Sequence, residues 1–165
     1  KSAIKVSKGD IVVFMDVDLS TSLNNLPKLI NSIHRGYDIA IGSRYKEGSR
    51  VKRPITRTIA SRTYNLLVNL LFKDGILDHQ CGFKAFKRQS IEPLIEAVKS
   101  KGFFFDTELI LKAMRRGLSI VEIPIEWKET RKEPALRKII AMAPEMLWEL
   151  LALKLSGEVE GRFEG

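Results

Sequence analysis

Asp10-Ile11-Val12-Val13-Phe14-Met15-Asp16-Val17-Asp18-Leu19-Ser20 is the stretch on which the reading of this chain turns. An apolar, β-branched run follows Gly9-Asp10 and ends in two aspartates one residue apart, the composition of a buried central strand. Residues i and i+2 of an extended chain share a side, so Asp16 and Asp18 are expected to aim two carboxylates at one object. At the carboxyl end of a strand in an open α/β sheet that object is usually a ligand. Two hard oxygen donors there suit Mg²⁺ or Mn²⁺ carrying a diphosphate. On these residues alone, a strand ending in a polar turn, with Asp18 or Ser20 opening the next helix, reads at least as well.

Downstream, Thr21-Ser22 offers N-cap oxygens, and Leu23, Leu26, Ile30 and Ile33 follow at helical spacing up to Gly36. YDIAIGS at 37–43 reads as a second strand that delivers Arg44 at its carboxyl end. Strand, helix and strand in that order predict a parallel sheet. Residues 44–57 hold Gly48, Ser49 and Pro54 and read as a mobile loop. A helix over 56–72 is expected to turn Ile59, Tyr64, Leu67, Leu70 and Leu71 mostly inward. A short strand at 83–86 and a helix over 91–98 capped by Ser90 come next. Phe103-Phe104-Phe105 then lead, as core residues, to Asp106 at the N-cap of a helix over 107–116. Residues 119–127 alternate as one strand, with Pro124 marking an edge or bulge. The last helix, 143–155, places Leu147, Leu150, Leu151 and Leu155 on one face.

A length of 165 residues with 44% hydrophobic and 29% charged residues describes a globular domain of ordinary size. Cys81 is the single cysteine, which excludes a disulfide framework and a cysteine-based zinc site and fits a reducing cytosol. It reads as a small buried residue, and His34 and His79 as surface residues. No basic-then-apolar signal opens the chain, and no uncharged apolar run is long enough to cross a bilayer. The net charge of +8 is uneven: residues 44–62 carry seven basic side chains against one acid, Glu47. Such a field attracts nucleic acid, anionic lipid headgroups or a phosphorylated small molecule. Aromatics do not interleave with the basic run and no RNA- or DNA-binding motif occurs, so nucleic acid is not an expected partner.

DVDLS at 16–20, GSRY at 42–45, TRTIASRTYN at 56–65, DHQCGFKAF at 78–86 and FFFDTELI at 103–110 occur in that order. Together they resemble the family-2 glycosyltransferases that make polyprenyl-phosphate sugars, the dolichyl-phosphate mannose and glucose synthases, over nearly the whole chain. The resemblance implies an α/β, GT-A (nucleotide-diphospho-sugar transferase) fold, a Rossmann-like mixed, mainly parallel sheet flanked by helices. It also implies metal-dependent, inverting transfer of a hexose from a nucleotide-sugar donor to a polyprenyl (dolichyl) phosphate acceptor.

Carried over by position, Asp16 and Asp18 would hold Mg²⁺ or Mn²⁺ and the donor's diphosphate. Ser20 stands where family members often have glutamine as a further metal ligand. Arg44, Arg57 and Ser61 match positions holding the acceptor's phosphate, with Arg62 a close alternative and Arg131 a further substrate-binding candidate. Gln80 and Gly82, with Cys81 and Phe83, match the lining of the sugar pocket. Asp106, as a catalytic residue, and Glu108 match a carboxylate pair near the reacting centre. Their own reading, Asp106 as an N-cap with Glu108 in the first turn, stands equally open.

Members of that family begin with a strand and turn that cradle the nucleotide, and nothing in the chain matches these. Residues 1–138 are therefore expected to form the later two-thirds of an N-terminally truncated GT-A catalytic domain, and 139–165 an amphipathic helix and tail. The open sheet edge would suit a homodimer or an N-terminal partner. Trp148 and Arg137-Lys138 are what an interfacial helix carries; an ordinary helix closing the core, or an oligomer contact, reads as well. The implied place is the cytoplasm, peripheral on the cytoplasmic membrane face. The alternative is a non-catalytic truncated subunit that binds anionic lipid headgroups.

Overall fold

The computed structural model describes residue 4, residues 6–130 and residues 135–159, the side chains of 135–140 excepted. Arg131 lies outside the described residues, as do the side chains of Arg137 and Lys138. Four strands form one sheet in the order β1 (Ile11–Met15), β4 (Phe83–Lys87), β2 (Ile39–Ser43), β5 (Ile120–Pro124). β4 runs antiparallel to β1 and to β2, while β2 and β5 are parallel. Three strands thus point one way and β4 is inserted against them, giving a mixed, mainly parallel sheet. β1 and β2 are parallel but do not touch, because β4 separates them.

The β1 run is not a buried central strand. It occupies the sheet edge among the described residues, and Phe14 and Met15 are exposed. Its apolar composition answers to its position over the core on one side and leaves the other side open.

Side-chain alternation in β2 and β4 feeds two cores. Ile39, Ile41 and Phe86 face α3 (Arg88–Ala97) and α4 (Phe105–Arg115), packing on Ile91, Leu94, Ile95, Leu109 and Ile110. Ala40, Phe83 and Ala85 face α1 (Leu26–His34) through Leu29 and Ile33. A third cluster joins Val68 and Phe72 of α2 (Ile55–Phe72) to Phe104, Leu111 and Leu150 and Leu153 of α5 (Ala135–Leu155). Helices therefore cover both faces of the sheet, with α2 and α5 as an outer pair.

α1 begins as expected: Ser22 accepts a hydrogen bond from the Asn24 amide at the head of a short 3₁₀ turn, and Gly36 closes the helix at a φ of 104°. Elsewhere the local signals yield to tertiary partners. Ser90 does not cap α3; its hydroxyl donates to Asp38 at 2.6 Å. Asp106 is not an N-cap either, since it sits inside the first turn of α4. Of the three consecutive phenylalanines, Phe104 is buried and Phe103 is exposed. His79 is wholly buried, with its backbone N–H and Nδ1 on Asn65 Oδ1 and Nε2 3.0 Å from Asp74 Oδ2.

Two helices turn differently from expectation. In α2 Tyr64 and Leu71 pack inward on the cluster of Val68 and Phe72 as expected, but Ile59, Leu67 and Leu70 are exposed, and Ile55, Ile59, Leu66 and Leu70 form an apolar stripe at helical spacing. In α5, Leu150 and Leu153 are buried, and Leu147, Trp148, Leu151 and Leu155 are exposed.

The region read as one mobile loop and the region read as one strand are two halves of a single device. β3 (Arg50–Lys52) pairs in parallel with β6 (Glu126–Lys128), continuing the β2–β5 pairing beyond a break. Ser43 lies opposite Pro124 and Arg50 opposite Glu126, so residues 44–49 bulge out against one residue, Ile125. Pro124 has no N–H to continue the ladder. Ser49 fills the break instead: its hydroxyl donates to Ser43 O at 2.7 Å and accepts from the Ile125 amide at 3.3 Å. A cross-chain strand break therefore projects Arg44 and Tyr45 from the carboxyl end of the sheet.

Candidate functional site

Asp16 and Asp18 are held by a turn and not by an extended strand. β1 ends at Met15, the Leu19 amide donates to Asp16 O at 3.2 Å, and Leu19 adopts a φ of 49°. Ser20 is buried and fixes the second carboxylate: its amide and its hydroxyl donate to Asp18 Oδ1 at 3.1 and 2.8 Å. The hydroxyl also lies 3.2 Å from Thr130 Oγ1. This serine positions Asp18 and shares in the same cluster of oxygens. The first carboxylate lies against Gly82, where any Cβ would overlap it. Only glycine permits that approach.

Two carboxylates and a hydroxyl are hard oxygen donors of the kind Mg²⁺ and Mn²⁺ accept. Among the described residues no three His, Cys, Asp or Glu side chains gather around a common point. A divalent ion at this turn would thus draw the rest of its ligands from water and phosphate, which is how Mg²⁺ is ordinarily held. The residues present fit such an ion.

Residues 78–82 link this turn to the basic region. At one end Gly82 meets Asp16. At the other, Asp78 receives the Arg44 amide at 2.9 Å, Nε at 2.8 Å and Nη2 at 2.7 Å, with its side chain wholly buried. Burial would lower the Arg44 pKa, but the Asp78 charge and hydrogen bonds outweigh it and raise it. Gln80 is half-buried in the same segment. Burial, with the charge of Asp78 adding to it, pushes the Cys81 thiol up to about 12, which suits a packing residue and not a nucleophile.

The basic residues converge on Trp127 and Tyr45. The guanidinium carbons of Arg44 and Arg53 lie 5.8 and 5.2 Å from the Trp127 ring centroid, and that of Arg62 lies 5.3 Å from the Tyr45 ring. Tyr45 Oη contacts Ser61 Oγ, and Arg57 Nη1 pairs with Glu129. Trp127 also bridges to Thr21, and the amides of Ser22 and Lys128 donate to Glu126 O and Ser20 O at 3.0 and 2.8 Å. The aspartate turn and the arginine cluster are thus tied to the same short strand. Tyr45, Arg53, Asp78, Trp127 and Glu129 escaped the sequence reading as site residues. The X-Pro at Arg53-Pro54 and the terminal Trp127 of an alternating run were signals of structure, not of chemistry.

Asp106 and Glu108 do not form a pair. Two residues apart on a helix they point to different sides. Asp106 takes the buried Lys84 Nζ at 2.9 Å, and that amine also donates to Cys81 O. Asp106 is therefore coupled to the 78–82 segment. Glu108 instead accepts the amides of Lys99 and Ser100 at 3.0 and 2.8 Å and pairs with Lys112 at 2.7 Å.

Burial alone would raise the Glu108 pKa, but the bonds from Lys112, Ser100 and Lys99 hold it below its ordinary value of 4.5. A depressed folded-state value contributes stability that is complete above pH 4.5 and disappears as pH falls through the folded value. Glu108→Gln is therefore expected to be less stable than the parent in urea at pH 7. The difference should shrink at pH 3, and a constant difference would remove this account.

The mixed sheet with helices on both faces is a fold of GT-A type. The fold has solved relatives: glucosyl-3-phosphoglycerate synthase from Mycobacterium tuberculosis, crystallised with Mn²⁺, uridine diphosphate and phosphoglyceric acid, superposes with a TM-score of 0.69 at 18% identity. That superposition covers 92% of this chain and 51% of the synthase. Residues 1–95 match the model for glycosyl transferase family 2, and the chain belongs to that family. It is 38% identical over 154 residues to glycosyltransferase AglD of Haloferax volcanii, covering 90% of this chain and 25% of AglD. It is 37% identical over 121 residues to polyprenol monophosphomannose synthase of Mycolicibacterium smegmatis, covering 72% of this chain and 46% of the synthase. The chain spans a quarter to about half the length of these relatives.

Proposed function

We propose that this chain forms part of a transferase that moves a hexose from a nucleotide-diphosphate sugar to a polyprenyl phosphate, with inversion at the anomeric carbon. The observation that carries the reading is the pairing of two unlike ends in one site. A turn bearing Asp16 and Asp18 stands at one end and an arginine, tyrosine and serine cluster at the other, both tied to β6 and the 78–82 segment. The names of the polyprenol-phosphate and Mn²⁺-bound relatives favour the same assignment.

The chemistry needs little else. A phosphate acceptor is already an anion, so it requires positive charge and orientation more than a strong base. Arg57, Ser61, Arg62 and the remaining nitrogen of Arg44 are the groups proposed to receive it, with Gln80 and Gly82 beside the sugar. The chemistry a divalent ion supplies at Asp16 and Asp18 is neutralisation of the charge that builds on the departing diphosphate. Asp106, held by Lys84, is proposed to orient the sugar. Transfer of radiolabelled sugar to a polyprenyl phosphate, with Mn²⁺ and with chelator, tests the reading; no metal-dependent product from any nucleotide-sugar would refute it.

A second reading, attachment to anionic lipid headgroups, is favoured by the exposed residues of α5 and by the basic run. No helix among the described residues is long and apolar enough to cross a membrane. Leu147, Trp148, Leu151 and Leu155 would instead lie in the interface, where an acceptor lipid presents its phosphate. Replacing Trp148 and Leu155 with serine is expected to reduce flotation with anionic liposomes several-fold. Unchanged flotation would remove the idea.

A further inference from the structure

His79 stands between Asp78 and Gln80 in the segment that joins the two ends of the site, and it is wholly buried. Its backbone N–H and Nδ1 both reach Asn65 Oδ1 on α2, at 3.0 and 2.8 Å, and its Nε2 lies 3.0 Å from Asp74 Oδ2. The outer partners are fixed in turn. Asn65 Nδ2 donates to Ser61 O at 2.8 Å, which settles which end of that amide is oxygen. Asp74 Oδ1 accepts the Ile76 amide at 2.9 Å. An amide oxygen carries no hydrogen, so Nδ1 must donate to it. A ring nitrogen and a carboxylate oxygen at 3.0 Å would oppose two lone pairs unless a second proton lies between them. Of that couple the imidazole is the stronger base. The ring therefore carries both protons, and its charge and that of Asp74 compensate each other where neither side chain is exposed.

Asn65 follows Ser61 by about one turn on the helix that presents Arg57, Ser61 and Arg62. His79 belongs to the segment in which Asp78 holds Arg44 and Gly82 abuts Asp16. Asn69 ties the same helix to Gly75 and Ile76, at 2.9 and 2.7 Å, on the near side of the turn. We propose that His79, an imidazolium held between Asn65 and Asp74, is a positioning residue that sets the spacing between α2 and the 78–82 segment. Its bearing on catalysis rests on the transfer reaction proposed above; the doubly protonated crossbar does not. Joining a phosphate oxygen to an anomeric carbon depends on that spacing, since a misplacement of about 1 Å is enough to cost about 10²-fold in rate.

The test begins with ¹⁵N spectra of the histidine ring in a His34→Gln background, where His79 is the single histidine. At pH 7 this parent should show both ring nitrogens protonated. Asp74→Asn can donate its own N–H to Nε2 while its oxygen still accepts the Ile76 amide. That variant should fold, show one protonated ring nitrogen, and keep turnover within threefold of the parent. The double variant His79→Phe with Asp74→Leu removes the crossbar and leaves no buried charge uncompensated. It should recover stability relative to His79→Phe alone and still lose tenfold or more in kcat, with the KM for nucleotide-sugar within threefold. A merely structural histidine would recover stability and kcat together. Should the double variant not fold, His79→Gln, which reaches one partner and not both, takes its place with the same expected split.

One ring proton in the parent, or two in Asp74→Asn, overturns the crossbar. A folded variant lacking it that turns over at the parent's kcat overturns its positioning role, and the transfer reading then stands. If no nucleotide-sugar supports transfer while the parent shows two ring protons and Asp74→Asn one, the transfer reading falls and the crossbar stands.

Discussion

Asp16→Asn is expected to reduce sugar transfer by about 10²–10³-fold or more, the scale on which a single preorganised electrostatic group acts at a reacting centre. Asparagine keeps the shape of the side chain and removes the charge that would hold a divalent ion. The loss should therefore appear in turnover and in the metal concentration needed for half-maximal rate, with folding intact. Gly82→Ala tests the same carboxylate from the other side. Its methyl group would occupy the space of the Asp16 carboxyl group, so the turn or the 78–82 segment must shift. A comparable loss is expected, since displacement by an ångström is enough to disturb a positioned group. Turnover within threefold of the parent for Asp16→Asn, measured at saturating Mn²⁺, would take the metal end away from this turn.

Asp78→Asn is expected to cost about 3–5 kcal/mol of stability, the range seen when one member of a buried ion pair is removed. Asp78 is wholly buried and accepts three donors from Arg44, whose side chain is only 9% exposed. Asparagine offers one acceptor oxygen and sets an NH₂ group against a guanidinium, leaving a buried cation without its counter-ion. A natural domain is stable by about 5–15 kcal/mol, so this one change removes a large share. Replacing both partners, as Arg44→Met with Asp78→Leu, should recover much of the loss because no charge is then left uncompensated. Denaturant unfolding of the four proteins measures the coupling; a cost below about 1 kcal/mol for Asp78→Asn would mean that Arg44 finds water or another anion. The pair also fixes where the 44–49 bulge leaves the sheet, so the double variant should fold and yet bind acceptor poorly.

Much of the fold was legible in the residues because their signals are local. The short, mainly apolar runs at Ile39 to Ile41 and Phe83 to Phe86 read as strands whichever elements pack on them, and Gly36 ends α1 because its φ of 104° is open to glycine. The two aspartates and the ordered motifs around Arg44, Ser61 and Gly82 also stood out, since the chemistry of a diphosphate and a phosphate restricts which side chains serve. Other features were illegible for one common reason. A residue with two competing uses is assigned by a partner far away in sequence.

Ser90 could cap a helix, but Asp38 is within reach and takes its hydroxyl. His79 looks like a polar surface residue until Asn65 and Asp74 close around both ring nitrogens. α2 has apolar residues on both sides, so periodicity alone cannot say which side meets Leu150 and Leu153 and which side is left outside.

The Asp16-Val17-Asp18 stretch divides along the same line. The sequence by itself determined that two carboxylates follow an apolar strand, because composition and spacing are properties of the chain alone. Only the tertiary structure decided that a turn closed by Leu19 presents them, that Ser20 orients one and Gly82 abuts the other, and that Trp127 ties them to the arginine cluster. Those contacts depend on where β4 inserts and where β5 breaks at Pro124. Both are settled by pairing between distant segments, whose hydrogen bonds form only once the sheet has assembled.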